Sequence, residues 1–154
     1  MASAIDQKLA EMGIVLPHPP AAAGAYVSCV LHGGLLYVSG QLPFDQGKIA
    51  FAGRLGETLG VDEGREAAAL AAINALAQAR LALGSLDRIA RCLKITGYIA
   101  AADGFTHHAD VLNGASHLIH SVFGDKGQHA RAAIGAANLP LDAAVEIEFL
   151  FAVD

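Results

Sequence analysis

The chain has 154 residues, 54% of them hydrophobic and 16% charged, with a formal net charge of −5. One domain with its own core fits that length, and no apolar run approaches the roughly 20 residues that a membrane-spanning helix needs. No basic stripe is present to meet a phosphate backbone, which argues against nucleic acid as a partner, and the surplus of apolar residues is best placed at a subunit interface.

The N-terminal MASAIDQKLAEMG lacks a basic stretch followed by an apolar core, so no signal peptide is expected and a cytoplasmic location is. In that compartment Cys29 and Cys92 read as small hydrophobes rather than a disulfide. Ile5, Leu9 and Met12 stand at helical spacing with Gly13 as a stop. The proline-rich Pro17–Ala23 reads as an extended connector. Tyr26–Leu31 and Leu35–Gln41 are predicted strands joined in a hairpin at His32-Gly33-Gly34. A short piece, Lys48–Phe51, is expected to pair at an edge after the turn Asp45-Gln46-Gly47.

The strongest helix signal covers 62–84. Asp62 is its expected cap, Glu63 and Glu66 favour its positive end, and Gly84 terminates it. Leu70, Ile73, Ala77 and Leu81 form the predicted buried stripe. Arg88–Ala100 is a strand with Ile89, Arg91, Leu93, Ile95, Gly97 and Ile99 on one side, and Ala90, Cys92, Lys94, Thr96 and Tyr98 on the other. A second helix is predicted over 105–123, ending at Gly124, then a turn at 125–128. Strands follow over 130–137 and 143–153, joined through Leu139-Pro140. The order ββ(β)–α–β–α–ββ fits an α+β domain, one mixed sheet with two helices on one face. In the last strand Val145, Ile147, Phe149 and Phe151 should meet the helices. Glu146, Glu148 and Leu150 then occupy the other face, which would line the inside of an oligomer.

Several residues carry chemistry. Arg131 opens a strand in HARAAIGAANLP, and a guanidinium holds a carboxylate through a two-pronged fork; an exposed strand-end arginine is the plain alternative. Glu146 and Glu148 share a strand face roughly 7 Å apart, a pattern compatible with paired-carboxylate hydrolysis but commoner as solvated strand residues. His117 and His120 are three apart, with His107 and His108 upstream. No cysteine or carboxylate cluster joins them, so they read as surface or interface residues rather than metal ligands. Ser39 sits in V-S-G-Q, which is not a nucleophile elbow, and reads as a hydroxyl bonded to backbone. No glycine-rich phosphate loop follows a strand, and neither metal nor cofactor is expected.

Four blocks together resemble a known family: G-A-Y at Gly24–Tyr26, Y-V-S-G-Q at Tyr37–Gln41, N-G-A-S at Asn113–Ser116, and the C-terminal G-Q-H-A-R-A-A-I-G-A-A-N-L-P-L-D-A-A-V-E-I-E. They are similar to the Rid family, the reactive intermediate (enamine/imine) deaminases once labelled L-PSP endoribonucleases. The match runs from about residue 24 to 154, leaving residues 1–23 as an N-terminal extension ahead of a single domain. The resemblance implies a chorismate-mutase-like fold and a homotrimer whose sheets face inward as a barrel, with sites in clefts between subunits. By position it implies that Arg131 grips the substrate carboxylate and Glu146 places the hydrolytic water, with Tyr26, Ser39, Asn113 and Ala133 in the substrate pocket. Departures from the better-studied branch are Ala25 in place of proline, Ala133 in place of cysteine or serine, and extra residues ahead of Asn113.

The implied reaction is metal-independent hydrolysis of a 2-imino or enamine acid to a 2-keto acid and ammonia. The C=N carbon is already electrophilic, so the protein has to hold the carboxylate, place a water and manage protons. A non-catalytic module that binds small carboxylates through the same arginine is the alternative. A ribonuclease ranks lower, because the net charge is negative.

Overall fold

The computed structural model describes residues 2–154. Helix α1 (Ala4–Glu11) has its free N-terminal amides satisfied from two directions. Ser3 Oγ accepts from the Asp6 amide at 3.0 Å, and the Asp87 carboxylate accepts from the Ala4 and Ile5 amides, both at 2.9 Å. Leu9 is thereby seated in the core, and Gly13 turns the chain at φ 71°.

Strands β1 (Cys29–His32) and β2 (Leu35–Gln41) form the expected hairpin, with Gly33 and Gly34 both at positive φ as the tight turn requires. The first strand begins at Cys29 rather than Tyr26. A bulge at Ser39–Gly40 shifts the β2 register; there the Ser39 amide and hydroxyl bond the Ser28 and Val27 carbonyls, and Gln41 then pairs again, opposite Ile147. The short piece after Gly47 does not extend the main sheet. β3 (Phe44–Asp45) and β4 (Lys48–Ile49) pair only with each other, and Phe51 at φ 58° has left the extended region.

Helix α2 spans Val61–Leu83. Its cap is Gly60, whose amide donates to Glu63 Oε1 at 3.1 Å, while Asp62 lies in the first turn and pairs with Arg65 at 2.8 Å. The predicted stripe is only partly the buried one, since Ala77 is buried and Ile73 packs against the core but Leu70 is only half-buried. Leu81 is 69% exposed, whereas Gly64, Ala67, Ala68, Ala71, Ala75 and Leu76 are buried. Small side chains let the helix lie close against its neighbours, so the face of closest contact is the alanine face, and the longer side chains reach out from its margin.

β5 (Ile89–Ala100), β6 (Ala130–Ala136) and β7 (Val145–Val153) complete a five-stranded sheet in the order β1-β2-β7-β5-β6. β5 and β6 run parallel, joined through α3 (His108–Phe123). Two register shifts in β5 overturn the simple alternation expected for it. Arg91 pairs with Ala152 and Cys92 with Phe151, but the next partner of Leu150 is Lys94. Each extra residue reverses which side follows. Cys92, Ile95 and Ile99 therefore face the helices, and Arg91, Lys94 and Tyr98 face away.

α2 and α3 cover one side of the sheet, packed on Val145, Ile147, Phe149 and Phe151, and α1 lies against α3. α3 starts at His108 because residues 102–105 form a turn, with the Phe105 amide on the Ala102 carbonyl. The opposite face carries no helix and leaves Val30 and Tyr37 each 49% exposed. Cys29 and Cys92 are free, and burial pushes their thiols up to about 11 and about 12. Among the described residues no helix is long and apolar enough to cross a membrane.

Candidate functional site

Arg131 lies on the edge strand β6, in register with Ile95, so its side chain leaves on the helix side and meets α3. Nη1 donates to Ser116 Oγ at 3.0 Å and Nη2 to the Ala109 carbonyl at 3.2 Å. The remaining N–H groups of the fork stay available to an anion. The side chain is half-buried rather than a loose strand-end cation. Beside it opens a shallow cavity of about 420 Å³ lined by Asn113, Ser116, His117, His120, Gly127, Gln128, His129 and Arg131. No carboxylate is among those residues.

The N-G-A-S block explains how α3 presents this wall. A Cβ on Gly114 would collide with the Arg65 carbonyl of α2, so only glycine permits the two helices to approach there. The turn of that helix holding Gly114 carries Asn113 and Ser116 to the cavity. Gly127 allows the short turn after α3 to close down on the Ile119 carbonyl, which places His129 beside Ser116. His129 Nδ1 lies 2.6 Å from the Gly127 carbonyl and Nε2 2.8 Å from Ser116 Oγ. A carbonyl only accepts, so Nδ1 carries a hydrogen, and in that tautomer Nε2 is the atom that accepts from the Ser116 hydroxyl. Ser116 thus donates to His129 and accepts from Arg131. Sequence reasoning assigned no role to either residue, although both stand inside the blocks that drew attention. The available signal was the H-A-R spacing, which puts His129 and Arg131 on one side of the strand.

Ala133 follows Arg131 on the same side of β6, opposite Gly97 and against the core. Tyr26, Ser39 and Glu146 belong to a different part of the subunit. Ser39 Oγ donates to the Val27 carbonyl at 2.7 Å, the backbone bond expected of it. Tyr26 is 52% exposed, and its hydroxyl accepts from the Ala23 amide at 3.4 Å. Glu146 points to the helix-free face and lies across Gly40, where any Cβ would run into its carboxylate. Loss of solvent, then the neighbouring Glu148, pushes the Glu146 carboxyl above the ordinary glutamate range.

One chain therefore brings Arg131 and Asn113 to one cavity, with Ala133 on the same side of β6 but packed against the core, and leaves Tyr26, Ser39 and Glu146 elsewhere. β7 and β5 lie between β2 and β6, a separation of about 14 Å at roughly 4.8 Å per strand, and Glu146 leaves the sheet on the side opposite Arg131. A further cavity, about 950 Å³, lies at neither place. It sits between the Pro17–Ala21 connector, β1 and the end of α2, and no carboxylate, lysine or arginine lines it. Two of its three amides are engaged in holding the structure, Asn74 on the Leu42 and Phe44 carbonyls and Gln78 on that of Pro20, and the third, Gln46, is exposed. His117 and His120 are exposed at the rim of the Arg131 cavity. Among the described residues no group of three or more His, Cys, Asp or Glu side chains is arranged to hold a metal ion.

Comparison with known proteins places this arrangement. The family model described as "YjgF/chorismate_mutase-like, putative endoribonuclease" matches residues 6–153. The chain is similar to Protein TCP17 of Trypanosoma cruzi, 46% identical over 147 residues that cover 95% of this chain and 92% of that protein. Among solved structures it is similar to Atu1372 of Agrobacterium tumefaciens, described as of unknown function, with 46% identity, a TM-score of 0.91, and coverage of 97% and 92% of the two chains. It is also similar to RidA of Psychrobacter sp. PAMC 21119, with 28% identity, a TM-score of 0.62, and coverage of 88% and 94%. The α+β fold with its mixed sheet and the span of the match agree: the chain belongs to the YjgF/chorismate-mutase-like family, the Rid family that its motifs resemble.

Proposed function

We propose that this protein hydrolyses reactive 2-imino and enamine acids to 2-keto acids and ammonia, in the cytoplasm and without a metal. The observation that carries the proposal is the Arg131 guanidinium, held on α3 by Ser116 and Ala109 beside a carboxylate-free cavity. A fork fixed before the ligand arrives loses little freedom on binding, which is where a positioning catalyst gains most. Bound there, the carboxylate of a 2-imino acid sets its C=N carbon at the cavity mouth.

Water is placed by Glu146. Its carboxyl, raised by loss of solvent and then by Glu148, takes up a proton more readily than an ordinary glutamate, which suits a group that exchanges protons with water. Because Arg131 and Glu146 lie apart within one chain, the complete site is formed between subunits. Three copies close their helix-free sheet faces into a barrel, and the Tyr26, Ser39 and Glu146 part of one subunit meets the Arg131, Asn113 and Ala133 part of the next. Residues 1–23 are an extension outside that shared site, ahead of one domain over 24–154.

The test generates imines in place with an amino-acid oxidase and follows keto acid release. Wild type should accelerate release, chelator should leave it unchanged, and Arg131→Ala should weaken 2-oxobutanoate binding by roughly 10- to 100-fold, the worth of a charge-assisted fork. Wild type that binds 2-oxobutanoate but gives no acceleration would instead make the protein a carboxylate-binding module.

A further inference from the structure

We infer that Ser116 and His129 form a proton relay inside the Arg131 cavity, with Ser116 touching the substrate and His129 holding the proton behind it. The inference rests on the deaminase reading above. Its geometry is that of an activated hydroxyl: Ser116 Oγ is 2.8 Å from His129 Nε2, and His129 Nδ1 is oriented by the Gly127 carbonyl at 2.6 Å. A purely structural serine in the middle of a helix returns its hydrogen to a backbone carbonyl of the preceding turn. Ser116 instead gives it to an imidazole and takes an N–H from the proposed substrate anchor at 3.0 Å.

Arg131 and Ser116 are in contact, so a 2-imino acid whose carboxylate lies on the guanidinium has its nitrogen, one carbon further along, within reach of the serine hydroxyl. Glu146 lies on the other side of the sheet, and of the proton-handling groups that line the anchor's cavity, Ser116 and His129 are the pair hydrogen-bonded to each other and to Arg131, while His117 and His120 stand exposed at its rim. The charged or titratable groups that line the cavity with His129 are Arg131 of β6, and His117 and His120 of α3; Arg91 of β5 donates to the Gln128 carbonyl at 3.1 Å. All are cationic or neutral, and no carboxylate lining the cavity competes for the imidazole proton.

The reaction balances as follows. Water adds its oxygen to the C=N carbon and a proton to the nitrogen. The hydroxyl of the resulting carbinolamine loses its proton through Ser116 to His129 Nε2. The same path returns that proton to nitrogen, the C–N bond breaks, and ammonia leaves with a keto group behind it. His129 ends as it began, and no oxidant or further reactant enters.

His129→Gln keeps a hydrogen-bonding side chain but cannot carry the proton, Ser116→Ala removes the hydroxyl, and Ser116→Thr restores it. The relay predicts that His129→Gln and Ser116→Ala lower kcat on the order of 10²-fold; His129→Gln leaves the dissociation constant for 2-oxobutanoate within about threefold of wild type, whereas Ser116→Ala also weakens it, because Arg131 loses one of its two supports. His129→Gln also loses the limb of the kcat–pH profile that belongs to an imidazole, and Ser116→Thr recovers most of kcat. If wild type turns over imines and His129→Gln keeps its kcat and pH profile, the relay is overturned and the deaminase stands. If His129→Gln weakens keto acid binding as much as it lowers kcat, the pair only props Arg131 and the relay is again overturned. Wild type without turnover overturns the deaminase reading and the relay with it.

Discussion

Gly114→Ala sets two opposed effects against each other at a position that touches no ligand. Alanine in a helix interior is worth about 1 kcal/mol over glycine, so propensity alone predicts a more stable protein. The added methyl, however, would lie 2.8 Å from Arg65 Cα and closer still to the Arg65 carbonyl, which is backbone and has no rotamer into which to retreat. Overpacking of this kind typically costs about 1–3 kcal/mol, and a clash with backbone belongs at the upper end. The net loss should be about 2 kcal/mol, which for a chain of this length lowers Tm by about 4–8 °C. α3 must also shift from α2, and α3 carries both Ser116 and the Ala109 carbonyl that hold Arg131. Affinity for 2-oxobutanoate should therefore fall along with stability. Urea and thermal unfolding followed by circular dichroism, with titration calorimetry on the same samples, measure both. A variant as stable as wild type or more so would refute the close approach at Gly114 and leave propensity as the deciding effect.

Gly40→Ala pushes the Glu146 carboxylate off its resting place; turnover should fall on the order of 10²-fold while 2-oxobutanoate still binds, and unchanged turnover would show that the position of Glu146 is immaterial. Because the folded Glu146 carboxyl is raised, the folded state keeps its proton when the unfolded chain has lost it. That contribution to stability is present in acid and declines as pH rises above the ordinary glutamate range. Glu146→Gln should remove the decline, and denaturant midpoints of equal slope against pH for both proteins would contradict it. The Ala4 and Ile5 amides hold the Asp87 carboxyl below its usual range, so the α1 tether is present above that range and is lost as pH falls through the lowered value. Asp87→Ala should expose α1 at neutral pH and speed trypsin cleavage after Lys8; equal cleavage rates would mean that burial of Leu9 alone retains the helix.

Much of this protein is legible without coordinates. The element order follows because helix and strand periods differ and glycines end each segment. Arg131 stands out because a guanidinium in a short motif has one obvious chemistry. The buried face of α2 and the first half of β5 were not fully legible, although Ile95, Gly97 and Ile99 share one side of β5 as expected. In α2 the buried residues are alanines, which a hydrophobic stripe undervalues, and in β5 each unpaired residue reverses the alternation with nothing in its identity to announce it. The core strand β7 kept its alternation, and its helix-facing side was correctly foreseen.

Ser116 and His129 show the deeper limit. They are thirteen residues apart, on a helix and at the foot of a strand, and their hydrogen bond exists because Gly114 and Gly127 let backbone approach backbone closely enough to bring them together. Local sequence can specify that glycines stand at those two places. Only the packed structure decides which side chains the resulting closeness puts within 3 Å, because such a contact depends on every element between them rather than on the residues that make it.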